Sequence, residues 1–357
     1  MSLINIIKRT LFLSLMETIE KILQKSLEQD LNLNEIGFLL NCSDDYYDQI
    51  IHVADNVTKK IFSNKIMFYV PLYIDSFCAN NCLYCDYRRD NEDILRKKLS
   101  FNEFKKEVEY LDKQGYTMIE IVSSTDFNFP FERLKEFVKY LKEKNKITLM
   151  NNRPLQKQEY IDLKESGLDW SWLWMESYIK EHYQRYHPQN TEKYDFEKRT
   201  ISFEDMASAG LNVGFGFLLG LTPDFNEEVL STIKHAKTLK QKYNIKVAFG
   251  TPRFCSPNNA PLKNPPYPDV MTDEKFRLMI ALYRLAIRDS YINVSTREDI
   301  NMLKKLWLGG GNLTNPEVQT IPGGYSLGNK GSQFQHNSYS CKEFTSEIKK
   351  LGLIPIL

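Results

Sequence analysis

The chain has 357 residues, and its 47 Lys and Arg balance 46 Asp and Glu to a net charge of +1. Hydrophobic residues make up 42% and charged residues 26%, near globular averages, which excludes a disordered, collagenous or coiled-coil chain. The balanced charge offers no electrostatic footprint for nucleic acid or an anionic membrane, so neither is expected as a partner.

Residues 4–15 have the apolar bias of a short signal segment, but no small-residue cleavage site follows, and charge returns at once with Glu17 and Glu20. Leu13, Met16, Ile19, Ile22 and Leu23 are spaced along one helical face, which predicts an amphipathic helix on the outside of the fold. No later stretch approaches the roughly 18 uncharged apolar residues of a membrane span. Six cysteines are too few for a disulfide scaffold, and three of them crowd into one short stretch. Metal chemistry in a reducing compartment explains that crowding better, so a cytoplasmic location is expected.

From residue 68 onward, short apolar runs alternate with amphipathic helical patterns, as repeated βα units of a parallel sheet do. Strands are predicted at 68–74, 116–122, 147–150, 170–175, 212–219, 246–249 and 292–295, with a weaker eighth at 318–321. Helices are predicted at 101–114, 131–144, 157–166, 226–242 and 273–288. The first of these opens on a Ser100/Glu103 capping box and closes before Gly115. Seven or eight such units predict an α/β fold: a complete or nearly complete (β/α)₈ barrel over residues 66–357, preceded by an N-terminal helical extension over 1–65. On such a barrel, function collects at the C-terminal ends of the strands.

Directly after the first strand comes Cys78-Ala79-Asn80-Asn81-Cys82-Leu83-Tyr84-Cys85, a C-x₃-C-x₂-C cluster. Three thiolates in one loop can hold three corners of a cubane iron–sulfur cluster and leave the fourth iron open, whereas a structural zinc needs a fourth ligand at comparable spacing. A zinc loop is the alternative. Cys42, Cys255 and Cys341 are too scattered to be assigned to the cluster.

This triad, with an aromatic residue before its last cysteine, resembles the radical S-adenosylmethionine (SAM) enzymes. The surrounding text is similar to their aromatic amino acid lyase branch, which includes thiamine-pathway 2-iminoacetate synthase (a tyrosine lyase), the tyrosine lyase of hydrogenase maturation and a tryptophan lyase. The similarity runs in order from about residue 60 through Arg153-Pro154-Leu155, Met175-Glu176-Ser177-Tyr178, residues 216–221, Thr251-Pro252-Arg253, Ser295-Thr296-Arg297-Glu298 and Pro322-Gly323-Gly324-Tyr325. It implies a TIM-type radical SAM barrel, a [4Fe–4S] cluster and SAM as cofactors, an amino acid as substrate, a flavodoxin- or ferredoxin-type electron donor and a pathway partner enzyme. The reaction implied is cleavage of the Cα–Cβ bond of an aromatic amino acid, tyrosine first, to p-cresol and dehydroglycine. A tryptophan lyase or a rearranging enzyme is the alternative within the superfamily, and a non-catalytic iron–sulfur or zinc protein the alternative outside it.

The resemblance also assigns residues. Cys78, Cys82 and Cys85 are the cluster ligands, and Tyr84 lies against the adenine, where packing at the loop base is its ordinary role. Glu176 and Arg199 hold SAM, with surface ion pairs as the alternative. Where the family carries Thr-Gly-Glu after the second strand, this chain reads Ser123-Ser124-Thr125-Asp126, so Thr125 or Asp126 takes over the contact to the SAM amine. Arg297 is the substrate-carboxylate clamp, with Ser295 and Thr296 as polar neighbours and Arg253 as a second cation; a salt bridge with Glu298 is the alternative for Arg297. A second departure is Thr314-Asn315-Pro316-Glu317, where the branch has a Ser-Ala-Gly-Ser-like run. With only Cys341 in the C-terminal region, a second iron–sulfur cluster with cyanide and carbon monoxide production is not expected.

Three remaining features read as structure. His187 in Tyr186-His187-Pro188 is a hydrogen-bonded structural residue. Trp170, Trp172 and Trp174 alternate as strand residues inside a barrel do. Gly214, Gly216 and Gly220 lie in an apolar strand with no following Lys-Ser/Thr, so they form no P-loop.

Overall fold

Three helices lead the chain into a parallel sheet. The computed structural model describes residues 3–42 and 44–357, with side chains from Leu15 onward. The lead-in comprises α1 (Leu3–Ser26), α2 (Leu33–Leu40) and α3 (Tyr47–Phe62). They are followed by β1 (Lys65–Phe68), β2 (Val70–Tyr73), α4 (Phe101–Lys113), β3 (Met118–Val122), α5 (Phe131–Glu143), β4 (Ile147–Asn151), α6 (Lys157–Glu165) and β5 (Trp170–Trp172). The second half holds α7 (Lys180–Tyr186), α8 (Phe196–Ser208), β6 (Asn212–Phe215), α9 (Phe225–Tyr243), β7 (Val247–Gly250), α10 (Asp273–Ala286), β8 (Tyr291–Val294), α11 (Ile300–Trp307), β9 (Leu313–Thr314), α12 (Cys341–Lys350) and β10 (Ile354–Ile356).

The named strands all pair in parallel, in the order β10-β1-β9-β8-β7-β6-β5-β4-β3-β2. β1 and β2 are two halves of one stretch broken at Tyr69, whose amide donates to Thr314 O at 3.0 Å. The first half pairs with β9 and β10 and the second with β3, so this stretch brings the curled sheet back on itself. It is a TIM-type α/β barrel with helices outside.

Period-two alternation decides what fills it. Trp170 and Trp172 point inward with Tyr69, Met118, Leu149 and Leu313, and Trp174 packs onto them. Opposite those indoles the neighbouring strands carry glycine: a Cβ at Gly214 would lie 2.5 Å from Trp172, and one at Gly250 would lie 2.6 Å from Trp174. The alternate residues Ile119 and Ile121 face outward into the main core beneath the helices.

The lead-in helix turns Ile19 and Leu23 of its predicted apolar face into the main core; the side chain of Leu13 lies outside the described residues. Two expectations are corrected. The weak eighth strand is not at 318–321 but at Leu313–Thr314. Pro316 and Pro322 lack ladder donors and Glu317 has a left-handed φ of 54°, so Val318 and Ile321 are buried as loop anchors instead. Finally, the predicted continuations of β5 to residue 175 and β6 to residue 219 end early, at Trp172 and Phe215. Beyond them only isolated bridges remain among the described residues, between Glu176 and Phe217 and between Leu219 and Arg253.

Candidate active site

A cavity of about 230 Å³ opens among residues that follow the strands. The three cysteines of the loop after β2 line it. That loop is held by two charges spent on backbone. The Arg96 guanidinium donates to the carbonyls of Ser76, Tyr87, Arg88 and Asn91. The buried Asp86 accepts from the amides of Asn258, Asn259 and Ala260 at 2.7, 2.8 and 2.8 Å, which ties the cysteine loop to the loop after β7.

Burial pushes the thiols of Cys82 and Cys85 up to about 12 and about 11, and raises Cys78 as well. Three such groups do not persist as free thiolates at neutral pH; metal coordination, which removes the proton outright, is what turns them into ligands. The Lys193 ammonium favours the thiolate of each, and Gln333 Nε2 donates to Cys85 Sγ at 3.5 Å. Among the described residues no three His, Cys, Asp or Glu side chains are grouped for a single metal ion. An all-thiol set of three on the wall of a cavity matches three corners of a [4Fe–4S] cubane with the open iron facing the cavity.

Tyr84 hydrogen-bonds through its hydroxyl to His187 Nε2 at 2.7 Å. His187 is fully buried, and burial holds its imidazole well below the ordinary histidine range, so the ring that fixes Tyr84 is neutral. Glu176 stands in the left-handed region at φ 66° and pairs with Lys193 Nζ at 2.6 Å. Lys193 also lies 5.6 Å from the Tyr84 ring centre. Arg199 is anchored by Nε to Trp174 O at 2.7 Å and lines the same cavity. One wall therefore carries a carboxylate, two cations and an aromatic ring. These are the groups that an ammonium, a carboxylate and an adenine call for.

The segment after β3 divides. Ser123, Ser124 and Thr125 line the cavity, while Asp126 does not and is paired with Lys98. The Thr125 carbonyl accepts from Ala79 N at 2.7 Å, joining this segment to the cysteine loop.

The two arginines after β7 and β8 also divide. Arg253 donates by Nε to Glu298 at 3.0 Å and by Nη1 to Asp273 at 2.8 Å and Met271 O at 2.9 Å, and it does not line the cavity. Glu298 is thereby occupied by Arg253. Arg297 lines the cavity with Ser295 and Thr296, its guanidinium 3.8 Å from the Phe334 ring centre and its Nη1 3.4 Å from Arg253 O.

Sequence reasoning missed several lining residues: Lys193, Glu120, Asn151, Asn293, Gln333 and Cys255; Asn315, in the departure at 314–317, does line the cavity. Lys193 sits in a short 3₁₀ turn and Gln333 in an irregular segment, where no periodicity points to a cavity. Glu120 had a signal: it is a carboxylate in the middle of the apolar run Met118–Val122.

The barrel, the triad at the end of its first strand and the polar wall beside it define a radical SAM enzyme. In agreement, the family model described as "Radical SAM superfamily" matches residues 72–236, and this segment is a radical SAM domain. Its cofactors are those of that superfamily, SAM and a [4Fe–4S] cluster. The chain is 27% identical to 2-iminoacetate synthase of Escherichia coli (strain K12) over 286 residues, 79% of this chain and 74% of that protein. It is similar to the structure of the FeFe-hydrogenase maturase HydG from Carboxydothermus hydrogenoformans, with a TM-score of 0.85, 27% identity and coverage of 98% of this chain and 81% of that one. Methylornithine synthase (PylB) shares the fold, with a TM-score of 0.75, 19% identity and coverage of 95% and 97%.

Proposed function

We propose that this enzyme is a carbon–carbon lyase that cleaves the Cα–Cβ bond of an aromatic amino acid, tyrosine first, releasing p-cresol and dehydroglycine (2-iminoacetate). The observation that carries the reading is Arg297. It faces the cavity with no carboxylate partner among the described residues, since its neighbour Glu298 is taken by Arg253, so a substrate carboxylate finds a cation there, seated on the Phe334 ring. Similarity to 2-iminoacetate synthase supports the same substrate class.

When bound, the reduced cluster and SAM supply a hydrogen-abstracting adenosyl radical. The chain's own residues do the rest. Cys78, Cys82 and Cys85 hold the cluster; Tyr84, Glu176, Lys193 and Arg199 hold SAM, together with Thr125, which lines the same cavity. Arg297 fixes the amino acid by its carboxylate, with Ser295 beside it, so that the amine faces the adenosyl group. Arg253 acts on substrate only indirectly, by occupying Glu298. Asp126, paired with Lys98 outside the cavity, takes no part. The extension over residues 1–65 supports a barrel domain over 66–357. The reductant is a flavodoxin- or ferredoxin-type donor, the product passes to a partner enzyme, and the setting is the cytoplasm. Among the described residues no helix is long and apolar enough to cross a membrane.

The test is anaerobic reconstitution, reduction, and incubation with SAM and each aromatic amino acid, with products identified by mass spectrometry. Tyrosine should give p-cresol and, after hydrolysis of the imine, glyoxylate. Absence of fragmentation with every aromatic amino acid, under conditions where SAM is cleaved, would overturn the reading.

A further inference from the structure

Below the thiol layer the cavity has a polar floor that cofactor binding does not use. On β3 the inward residues are Met118, Glu120 and Val122. Met118 belongs to the lower aromatic layer, and Val122 packs with Cys78 and Cys85. Glu120 therefore sits on β3 between the packed bottom of the barrel and the level of the cysteines, with 4% of its surface exposed. Around the same cavity stand Asn151, Asn293 and Asn315. The Oδ1 atoms of Asn293 and of the buried Asn315 are shielded from solvent and have no hydrogen-bond partner.

A buried polar atom that no donor meets forfeits about 1–3 kcal/mol of hydration, so the two amide oxygens call for a donor. Burial pushes the Glu120 carboxyl up to about 8, with a hydrogen bond from Asn151 the opposing influence and no cation paired to it among the described residues. Packing alone does not explain the group, since leucine or methionine would fill the same place without the cost. Geometry links it to the clamp. Tyr73 lies within electrostatic reach of both Glu120 and Arg297. Asn293 lies within β8, and Ser295 and Arg297 follow its end along the same cavity, so the clamp stands at the strand end and Asn293 further down the strand.

We propose that Glu120, with Asn151, Asn293 and Asn315, forms a deep subsite for a hydrogen-bond-donating tip on the substrate's side chain, and that it selects such amino acids over equally long apolar ones. The proposal rests on the reading of the cavity as an amino-acid site clamped by Arg297. It assigns tyrosine's phenolic O–H a partner and explains how phenylalanine would be refused: without the hydroxyl, the acceptors of the floor gain no donor, and sites built this way discriminate strongly against the analogue that lacks it.

The test is calorimetric titration of the reconstituted, SAM-loaded protein with two matched pairs: L-tyrosine against L-phenylalanine, and L-lysine against L-norleucine. In one pair the wild type should bind the donor-tipped member at least tenfold more tightly. Glu120→Leu should reduce that preference to less than threefold, chiefly by weakening the donor-tipped ligand, and Glu120→Gln should retain part of it. The glutamine variant keeps the test open should the leucine variant fold poorly, and iron content and thermal melting report on folding. A Glu120-dependent preference for lysine, with no p-cresol from tyrosine, would support the subsite and overturn the tyrosine reading. Absence of a preference in both pairs, or a preference unchanged in both variants, would overturn the subsite even if tyrosine is fragmented.

Discussion

Arg253 and Arg297 show how one carboxylate decides the work of two cations. Glu298 lies next to Arg297 in sequence, yet its oxygens face Arg253, and the pair is well buried, with side-chain exposures of 19% and 5%. Breaking such a pair on one side typically costs about 3–5 kcal/mol. That cost keeps Arg253 out of the cavity and leaves Arg297 available. Arg297→Lys should therefore lower tyrosine fragmentation about a hundredfold, because an ammonium cannot reproduce the planar fork, while iron loading stays at the wild-type level. Iron assay and product quantification on the same preparation check both halves. Gln333 allows a second prediction. Its amide donates to Cys85 Sγ and its Oε1 accepts from Tyr73 at 2.7 Å, so it presents an N–H to a cluster sulfur in a fixed orientation. Hydrogen bonds to cluster sulfurs favour the reduced state. Gln333→Leu should shift the midpoint potential to more negative values, read by an EPR-monitored redox titration.

At the scale of elements, the strands and helices that were legible are those whose signals are local. The Ser100/Glu103 capping box predicted the start of α4, and the same box is present in the structure, with Ser100 N donating to Glu103 at 2.8 Å. The alternation of Trp170, Trp172 and Trp174 announced an inward face, and the glycines across from them turned out to make room for indoles. The cysteine triad was legible because three ligands fall within one loop. What was not legible depends on contacts distant in sequence. β9 is only two residues long and is defined by pairing with β1 and β8. Lys193 reaches Glu176 from a turn 17 residues on. The loop at 258–260 meets the cysteine loop through Asp86, more than 170 positions away. That last tie can be tested. Asp86→Ala would leave three amides without their acceptor, at about 1–3 kcal/mol each if they stay buried. The variant should melt at a lower temperature and lose iron during desalting, whereas Asp86→Asn, which keeps one acceptor oxygen, should retain more iron than the alanine variant.

Across the whole molecule, function and stability pull against each other at the buried carboxyls. Glu120 is pushed up to about 8, and Asp75 and Glu228 to about 7, burial being the largest cause for each. A carboxyl whose folded pKa lies above its unfolded value contributes stability that is fully present below the unfolded pKa and is lost as pH rises through the folded one. For these three groups that loss begins above about pH 4 and runs through about pH 7 for Asp75 and Glu228 and about pH 8 for Glu120. The buried histidines act on the other side. His235 is lowered to about 4 and His187 is held well below 6.5, so both disfavour the fold as pH falls below the unfolded histidine value. The carboxyls therefore act against the fold as pH rises and the histidines as it falls. Glu120→Gln removes one carboxyl from the alkaline limb while keeping a similar shape. Near pH 5, where Glu120 is protonated in the fold, the variant and wild type should differ little. By pH 8.5 the variant should be the more stable by a few kcal/mol, since the wild type must then either ionise a carboxyl in the barrel or hold a proton against the bulk. Denaturant melts of both proteins at a series of pH values measure the difference directly. A gap that stays constant from pH 5 to 8.5 would show that Glu120 ionises in the fold as readily as in water.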